Sequence, residues 1–147
     1  MTVPDKERQL RRLIVELQMM QGSADLLQQR LELLQTATTD LRVADSSLKA
    51  LMAVKAGNPI LVPVGGNTFV NAQIGELNKV IVGIGADVSI EMDIDKAVED
   101  ISARLAEVEK AGDSVQQQLG QILSQMQIHQ DGINRLGADL RGEAAGV

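Results

Sequence analysis

The chain has 147 residues, with 14 basic and 20 acidic side chains, a formal net charge of −6 and a pI near 4.7. An acidic chain with one Phe, no Tyr and no Trp lacks the cationic patches and stacking rings that nucleic-acid binding requires. The absence of cysteine excludes disulfides, thiolate nucleophiles and cysteine-ligated zinc.

The length predicts a single domain. The N-terminus, MTVPDKERQLRR, is charged and lacks the apolar segment of a signal peptide. The longest apolar runs, ILVPV and VIVGIGA, are far shorter than the span of about 20 residues that crosses a bilayer. We therefore expect a soluble cytoplasmic protein, intracellular by default, with no membrane partner.

A first long helix is predicted from a cap at Thr2 to a stop at Gly57, Asn58 and Pro59. Apolar residues recur at alternating steps of three and four from Leu10 to Met52, interrupted only by Thr38 and Asp45. Globular amphipathic helices rarely keep such a pattern beyond about 25 residues, so the pattern favours a coiled coil over a helix packed on a globular core.

The middle of the chain changes to short runs rich in β-branched residues, typical of strands. The four runs are Ile60–Val64, Thr68–Ile74, Val80–Ile84 and Val88–Met92. Gly-Gly-Asn and Gly-Ala-Asp supply the turns of two hairpins. Exposed strand edges must be paired or covered, and the chain offers no third layer, so we expect strand pairing between subunits. The expected oligomerisation residues are Leu61, Val62, Val64, Phe69, Val70, Ala72, Ile74, Val80, Val82, Ile84, Val88 and Ile90.

A second helix is predicted to begin at Asp93–Asp95, with an apolar stripe running from Ile94 to Leu140. Because the strands bring the two helices together, the helices should run antiparallel, with Met20 opposite Met126. The expected organisation is a helix over residues 1–57, a double hairpin over 58–92 and a helix with a short tail over 93–147, forming one domain.

Apolar residues near the chain ends outnumber the positions that a two-helix seam can bury. A third helix or extra core would cover them, but the chain supplies neither, which favours a surface that binds other proteins. The methionines among them are adaptable side chains of the kind that promiscuous binding surfaces use. The expected binding residues are Leu10, Leu13, Ile14, Leu17, Met19, Met20, Met126, Ile133, Leu136 and Leu140.

Motifs for chemistry are weak in this sequence. The sole histidine, His129, falls on the helical stripe, where a seam residue is expected rather than a catalyst. The glycine-rich turns lack a phosphate-binding signature. The acids Asp93, Asp95, Glu99 and Asp100 are explained better by helix capping and solvent exposure than by a metal. We expect no enzyme activity, no cofactor and no metal.

The order helix, two hairpins, helix resembles the alpha class of the prefoldin family, most closely its archaeal forms. The most specific residues are Leu61-Val62-Pro63-Val64-Gly65-Gly66, Phe69-Val70-Asn71-Ala72 and Val82-Gly83-Ile84-Gly85-Ala86. Two hairpins, rather than one, distinguish the alpha from the beta class. The implied fold class is α+β: a long antiparallel two-helix coiled coil joined by two β-hairpins that assemble into an intersubunit β barrel.

The resemblance also implies a function. Two alpha and four beta subunits would form a hexamer that holds non-native client proteins at the helix ends without ATP. The hexamer would then hand these clients to a group II chaperonin. Two other readings stay open: a structural coiled-coil adaptor that bridges folded partners, and a subunit that contributes to a shared enzyme site.

Overall fold

The structure is a computed structural model that describes residues 1–146. Its elements are helix α1 (Val3–Met52), strands β1 (Pro59–Gly65), β2 (Thr68–Gln73), β3 (Lys79–Gly85) and β4 (Val88–Asp93), and helix α2 (Ile94–Ala145). Both ends of each strand lie within one residue of the predicted positions. The chain divides into two compact units: a terminal unit, Met1–Gln35 with Lys110–Val147, and a hairpin unit, Thr36–Glu109.

Helix α1 begins with the predicted cap at Thr2. The Asp5 N–H donates to Thr2 Oγ1 at 3.3 Å, and the Thr2 N–H donates to Asp5 Oδ2 at 3.3 Å. This reciprocal pair is a capping box with Asp in the usual place of Glu, and it satisfies donors that the first helical turn leaves free. Hydrogen bonds from Thr2 lower the pKa of the Asp5 carboxyl.

The end of helix α1 differs from the prediction, because the helix stops at Met52 rather than at Gly57. The Ala53 and Val54 N–H groups bond to carbonyls three residues back, which tightens the last turn. The Gly57 N–H donates to the Ile74 carbonyl at 2.6 Å, and the Ile74 N–H donates to the Asn58 carbonyl at 2.9 Å. Residues 57 and 58 thus extend the β1–β2 ladder and are unavailable to the helix.

The hairpin unit contains two separate two-stranded antiparallel sheets, β1–β2 and β3–β4. Each sheet closes through a turn whose two central residues have positive φ: Gly66 (54°) and Asn67 (57°) in the first, Ala86 (50°) and Asp87 (59°) in the second. Positive φ at both positions defines a type I′ turn, whose twist matches that of the flanking strands.

The two hairpins differ in how they pack within this unit. Val82 and Met92 of the second hairpin are buried against Ala97 of α2, and Leu48 and Val80 pack against this core. In contrast, no residue of β1 or β2 is buried. The second hairpin is therefore anchored to the helices, while the first is exposed on both faces.

The helices also pair within the hairpin unit through polar contacts. Asp45, which interrupts the apolar stripe, accepts hydrogen bonds from Ser102 Oγ at 3.1 Å and from Lys49 Nζ at 2.8 Å. The bond from Lys49 is the largest of the effects that lower the pKa of Asp45. Arg42 pairs with Glu109 at 2.8 Å. The polar interruption thus has partners on both helices.

In the terminal unit the helical segments pack antiparallel along the predicted stripes. The buried residues there are Ala24, Leu31, Val115 and Leu136. Lys6 pairs with Glu143, which joins the first turns of α1 to the last turns of α2. Leu13 packs against Gly132 of the facing helix. The antiparallel two-helix arrangement is confirmed.

Candidate functional site

The ten residues predicted to bind other proteins all lie in the terminal unit, but they fall into three groups by exposure. Ile14 and Met19 are exposed, and Leu136 is buried between the helices. The remaining seven are half-buried along the seam: Leu10, Leu13, Leu17, Met20, Met126, Ile133 and Leu140. Heptad geometry explains the division, since the seam positions face the partner helix and the adjacent positions face solvent.

An exposed apolar stripe runs along α1; Met19 in it was predicted to bind other proteins, whereas Leu26 and Leu33 were not. Met19, Leu26 and Leu33 are 69%, 67% and 73% exposed, and they follow one another at intervals of seven residues. Residues seven apart lie close to one line along a helix, so these three form a continuous apolar row. The signal was present in the sequence as a second heptad repeat. In α2, Leu123 and Ile128 are also exposed.

Among the grooves between the helices of the terminal unit, one has a mainly apolar lining and another has polar and apolar lining in similar amounts. The first, of about 300 Å³, is lined by Glu16, Met19, Met20, Ser23, Ile122 and Gln125. The second, of about 250 Å³, is lined by Leu17, Gln21, Leu123, Met126, Gln127 and Gln130. Each groove offers methionine and branched aliphatic side chains, with amides or a hydroxyl along its wall. Such a surface adapts to apolar groups of varied shape.

A charged network borders the first groove. Glu16 pairs with Arg12 Nε at 2.8 Å and with His129 Nε2 at 2.8 Å. The bond from Arg12, followed by the bond from His129, lowers the pKa of Glu16. His129 Nδ1 also lies 3.0 Å from the Gln125 carbonyl. Hydrogen bonding to Glu16, with a further contribution from that carbonyl, raises the pKa of His129.

The predicted oligomerisation residues lie on both hairpins and are mostly exposed. The exposed ones are Leu61, Val62, Val64, Phe69, Val70, Ile84, Val88 and Ile90. Ala72, Ile74 and Val80 are half-buried. Val82 is only 8% exposed and belongs to the core with Met92 and Ala97, so a change there would disturb the fold as well as any contact. Exposed Ile60 and Ile81 extend the set beyond the prediction.

No third strand pairs with either sheet in residues 1–146, although Arg104 Nη1 donates to the Gly83 carbonyl of β3 at 3.1 Å. Each sheet has two strands, so every strand carries one row of backbone groups without a ladder partner. Beside β3, a cavity of about 290 Å³ is lined by residues of α1, β3 and α2, among them Leu48, Val82 and Ile101. Open edges beside exposed Val and Ile side chains are the surface features from which sheets extend by strand addition.

The carboxylates and the histidine do not form a metal-binding cluster in the described part of the chain. Among residues 1–146, no three His, Asp or Glu side chains gather closely enough to hold a metal ion. Asp100, one of the four acids weighed as cation ligands, pairs instead with Lys96 at 3.6 Å. No helix in the described part of the chain is long and apolar enough to cross a membrane.

Two long helices joined through two β-hairpins define a recognisable class of protein. Comparison of this chain with known proteins identifies the class. The family model described as Prefoldin subunit matches residues 20–139. The prefoldin subunit alpha of Methanopyrus kandleri is 34% identical over 113 residues, which cover 77% of this chain and 72% of that protein. The corresponding protein of Pyrococcus horikoshii is 33% identical over 105 residues, covering 71% of each chain.

A solved structure shares the fold. The cryo-EM structure of filamentous PFD from Methanocaldococcus jannaschii superimposes with a TM-score of 0.63 at 21% sequence identity, covering 75% of this chain and 91% of that chain. Taken with the sequence matches, the chain belongs to the prefoldin family, and its archaeal relatives are alpha subunits. The family is one of chaperone subunits, consistent with a chaperone role here.

Proposed function

We propose that this chain is the alpha subunit of an ATP-independent holdase, which captures non-native proteins in the cytoplasm and delivers them to a group II chaperonin. Family membership supports the proposal. The observation that carries it is the set of exposed apolar side chains in the terminal unit. Among them Met19, Leu26, Leu33 and Ile128 are 67–73% exposed, and Ile14 is 38% exposed. Exposed apolar surface is costly in water, and large patches of it mark interaction sites.

Assembly with beta subunits would complete the chaperone. The open edges of β1–β2 and β3–β4, together with the exposed Val and Ile residues on them, fit strand pairing with neighbouring subunits. We assign the hairpins to intersubunit β barrels in a hexamer of two alpha and four beta subunits. Burial of these faces between subunits would remove both the apolar surface and the unpaired backbone groups from water.

Capture would work through many weak contacts. A flexible methionine such as Met19 or Met20 fits apolar groups of different shapes without demanding one geometry. Several subunits contacting one unfolded chain would bind it far more tightly than any single subunit, because the later contacts form at high effective concentration. Since each contact is individually weak, the client can leave stepwise, and release needs no nucleotide.

The test changes exposed residues only. We expect the triple variant Ile14→Ser, Met19→Ser, Ile128→Ser, assembled with a beta subunit, to suppress aggregation of a chemically unfolded protein several-fold less well than the unaltered complex. These side chains face solvent, so the helix pair should persist, as checked by circular dichroism and native mass spectrometry. The half-buried seam residues Leu13 and Leu17 are poorer choices, because changing them would also loosen the pairing.

The control is Val43→Ser, which changes one exposed apolar residue in the hairpin unit, 62% exposed against 38–69% for the three. It should leave suppression unchanged. Undiminished suppression by the triple variant in an intact complex would refute the assignment of the site. A complex that binds a folded partner yet fails to suppress aggregation of unrelated unfolded proteins would indicate a structural adaptor instead. Delivery is measured separately, as transfer of a labelled client to added chaperonin.

A further inference from the structure

The helices of the terminal unit share a band that has no Asp, Glu, Lys or Arg, and whose one ionisable side chain, His129, pairs with Glu16. Residues 114–130 of α2 include no Asp, Glu, Lys or Arg, although at the 23% charged content of the whole chain a run of this length would carry about four. In α1, residues 17–24 are likewise free of these four residue types. We call residues 17–24 and 114–130 the uncharged band.

The net charge of the protein lies mostly outside the terminal unit. The hairpin unit carries 11 acidic and 6 basic side chains, whereas the terminal unit carries 9 acidic and 8 basic ones. Nearly all of the formal charge of −6 therefore belongs to the hairpin unit. Within the terminal unit, the band is the part where the charged side chains of either sign are missing.

Both grooves of the terminal unit lie at this band. All the lining residues of the second groove, and all but one of the first, fall within it. The exception is Glu16, whose carboxylate is paired with Arg12 and with His129. The one charge at the edge of the grooves is thus engaged within the protein.

Apart from His129, which is paired with Glu16, the polar side chains of the band are neutral amides and hydroxyls. Gln125 and Ser23 line the first groove, and Gln21, Gln127 and Gln130 line the second. A glutamine side chain both donates and accepts hydrogen bonds, which matches the N–H and C=O groups that an extended polypeptide leaves unpaired. The apolar side chains between them match apolar side chains of the same segment.

We infer that the two grooves at the uncharged band bind extended, uncharged segments of non-native polypeptide, with the apolar side chains of the segment in the grooves and its backbone groups on the glutamines that line them. The inference rests on the proposed holdase function and names the kind of segment that this site selects. A charged side chain entering either groove would lose water without meeting an opposite charge, which opposes its binding. Binding should therefore depend little on salt.

The experiment uses the complex of the full chain with a beta subunit and three fluorescein-labelled 20-residue peptides. The peptides share the same apolar residues and differ in their spacers, which are Gln, Lys or Glu. By fluorescence anisotropy, the Gln peptide should bind at least about fivefold more tightly than either charged peptide. Its affinity should change less than about twofold between roughly 0.05 and 0.5 M NaCl, because exposed charge pairs would be screened over that range.

Two variants place a carboxylate in the grooves: Ser23→Glu in the first and Gln130→Glu in the second. Each should weaken binding of the Gln peptide by about fivefold or more. The matched control is Gln118→Glu, which adds the same charge to the band at an exposed position that lines neither groove. Gln and Glu have similar helix propensities, so the control should bind within about twofold of the unaltered complex.

Several outcomes would overturn the inference. They are tighter binding of a charged peptide, an effect of Gln118→Glu as large as that of Gln130→Glu, and a change of oligomeric state caused by Gln130→Glu. The last would make the band a contact between copies of the chain. If the complex suppresses aggregation but does not bind the Gln peptide, the inference about the band is wrong and the proposed holdase function is unaffected. Loss of both would reject the proposed function itself.

Discussion

His129 Nε2 lies 2.8 Å from Glu16 Oε2 and joins α1 to α2 within the terminal unit. The other ring nitrogen, Nδ1, lies 3.0 Å from the Gln125 carbonyl oxygen. Both partners are acceptors, and a neutral imidazole donates from one nitrogen only. The protonated ring alone satisfies both contacts, so the geometry selects the imidazolium form.

The pH dependence of this contact has a definite sign. Hydrogen bonding to Glu16 raises the pKa of His129 above its ordinary value of 6.5, so the folded state binds the proton more tightly than the unfolded state. The resulting stabilisation is complete below pH 6.5 and is lost as the pH rises through the raised pKa. We expect the melting temperature of the unaltered chain to exceed that of His129→Gln by more at pH 6 than at pH 9.

Because His129 is the sole histidine, an NMR titration of its ring protons reports this pKa without assignment. The midpoint should lie above 6.5 and return toward that value in Glu16→Gln. Arg12→Gln serves as the control: it removes the other partner of Glu16 but leaves the His129 contact in place. A midpoint that is the same in Glu16→Gln and in the unaltered chain would contradict the pairing.

Two helix glycines should respond to the same substitution by different amounts. A Cβ added at Gly120 would meet nothing within 4 Å, whereas one added at Gly132 would stand 3.3 Å from Leu13 Cδ1. Alanine in a helix interior is favoured over glycine by about 0.5–1 kcal/mol. Gly120→Ala should therefore raise the free energy of unfolding by about that amount, while Gly132→Ala gains less because Leu13 must move. Urea unfolding of both variants measures the difference.

The two hairpin turns allow a paired test of backbone strain. Ala86 (φ 50°) occupies the turn position that Gly66 (φ 54°) occupies in the first hairpin. A left-handed conformation costs a non-glycine residue roughly 1–2 kcal/mol. Ala86→Gly should stabilise the chain by up to about 1 kcal/mol, and Gly66→Ala should destabilise it by a similar amount. Thermal unfolding that moves in the same direction for both variants would contradict this reading of the turns.

Assembly should depend on one face of the first hairpin. Val62 pairs with Val70 across β1 and β2, and both are exposed. Val70→Asp should abolish or strongly reduce hexamer formation with a beta subunit, because an unpaired carboxylate cannot be buried between apolar strands. Neighbouring side chains of a strand point to opposite faces, so Asn71→Asp provides the control. Native mass spectrometry distinguishes the two, and a normal hexamer with Val70→Asp would rule out this face as the interface.

The sequence predicted much of this structure because its signals are local and repeated. The heptad stripes fixed both helices and their antiparallel pairing, and the turn residues fixed both hairpins. Local signals could not predict that α1 ends at Met52. That end depends on hydrogen bonds of Gly57 and Asn58 to Ile74, a residue distant from both in the sequence. A strand pattern likewise does not say which hairpin packs on the helices, so the burial of Val82 was not foreseen.

The candidate site was predicted less completely, for a related reason. The seam pattern identifies residues that face the partner helix, and those are partly covered by it. The exposed row of Met19, Leu26 and Leu33 lies outside that pattern. The bond between Glu16 and His129 required the relative rotation of two helices, which spacing along one helix does not give.

The exposure of the first hairpin matters most in a chain that has not yet assembled. Neither of its strands contributes a buried residue to the fold of residues 1–146, so both strands are accessible to other polypeptides in a single copy. A newly made subunit thus presents ready templates for unwanted strand addition until a neighbour occupies them. Under the proposed assembly with beta subunits, balanced synthesis of that partner is then a condition for this chain to stay out of aggregates.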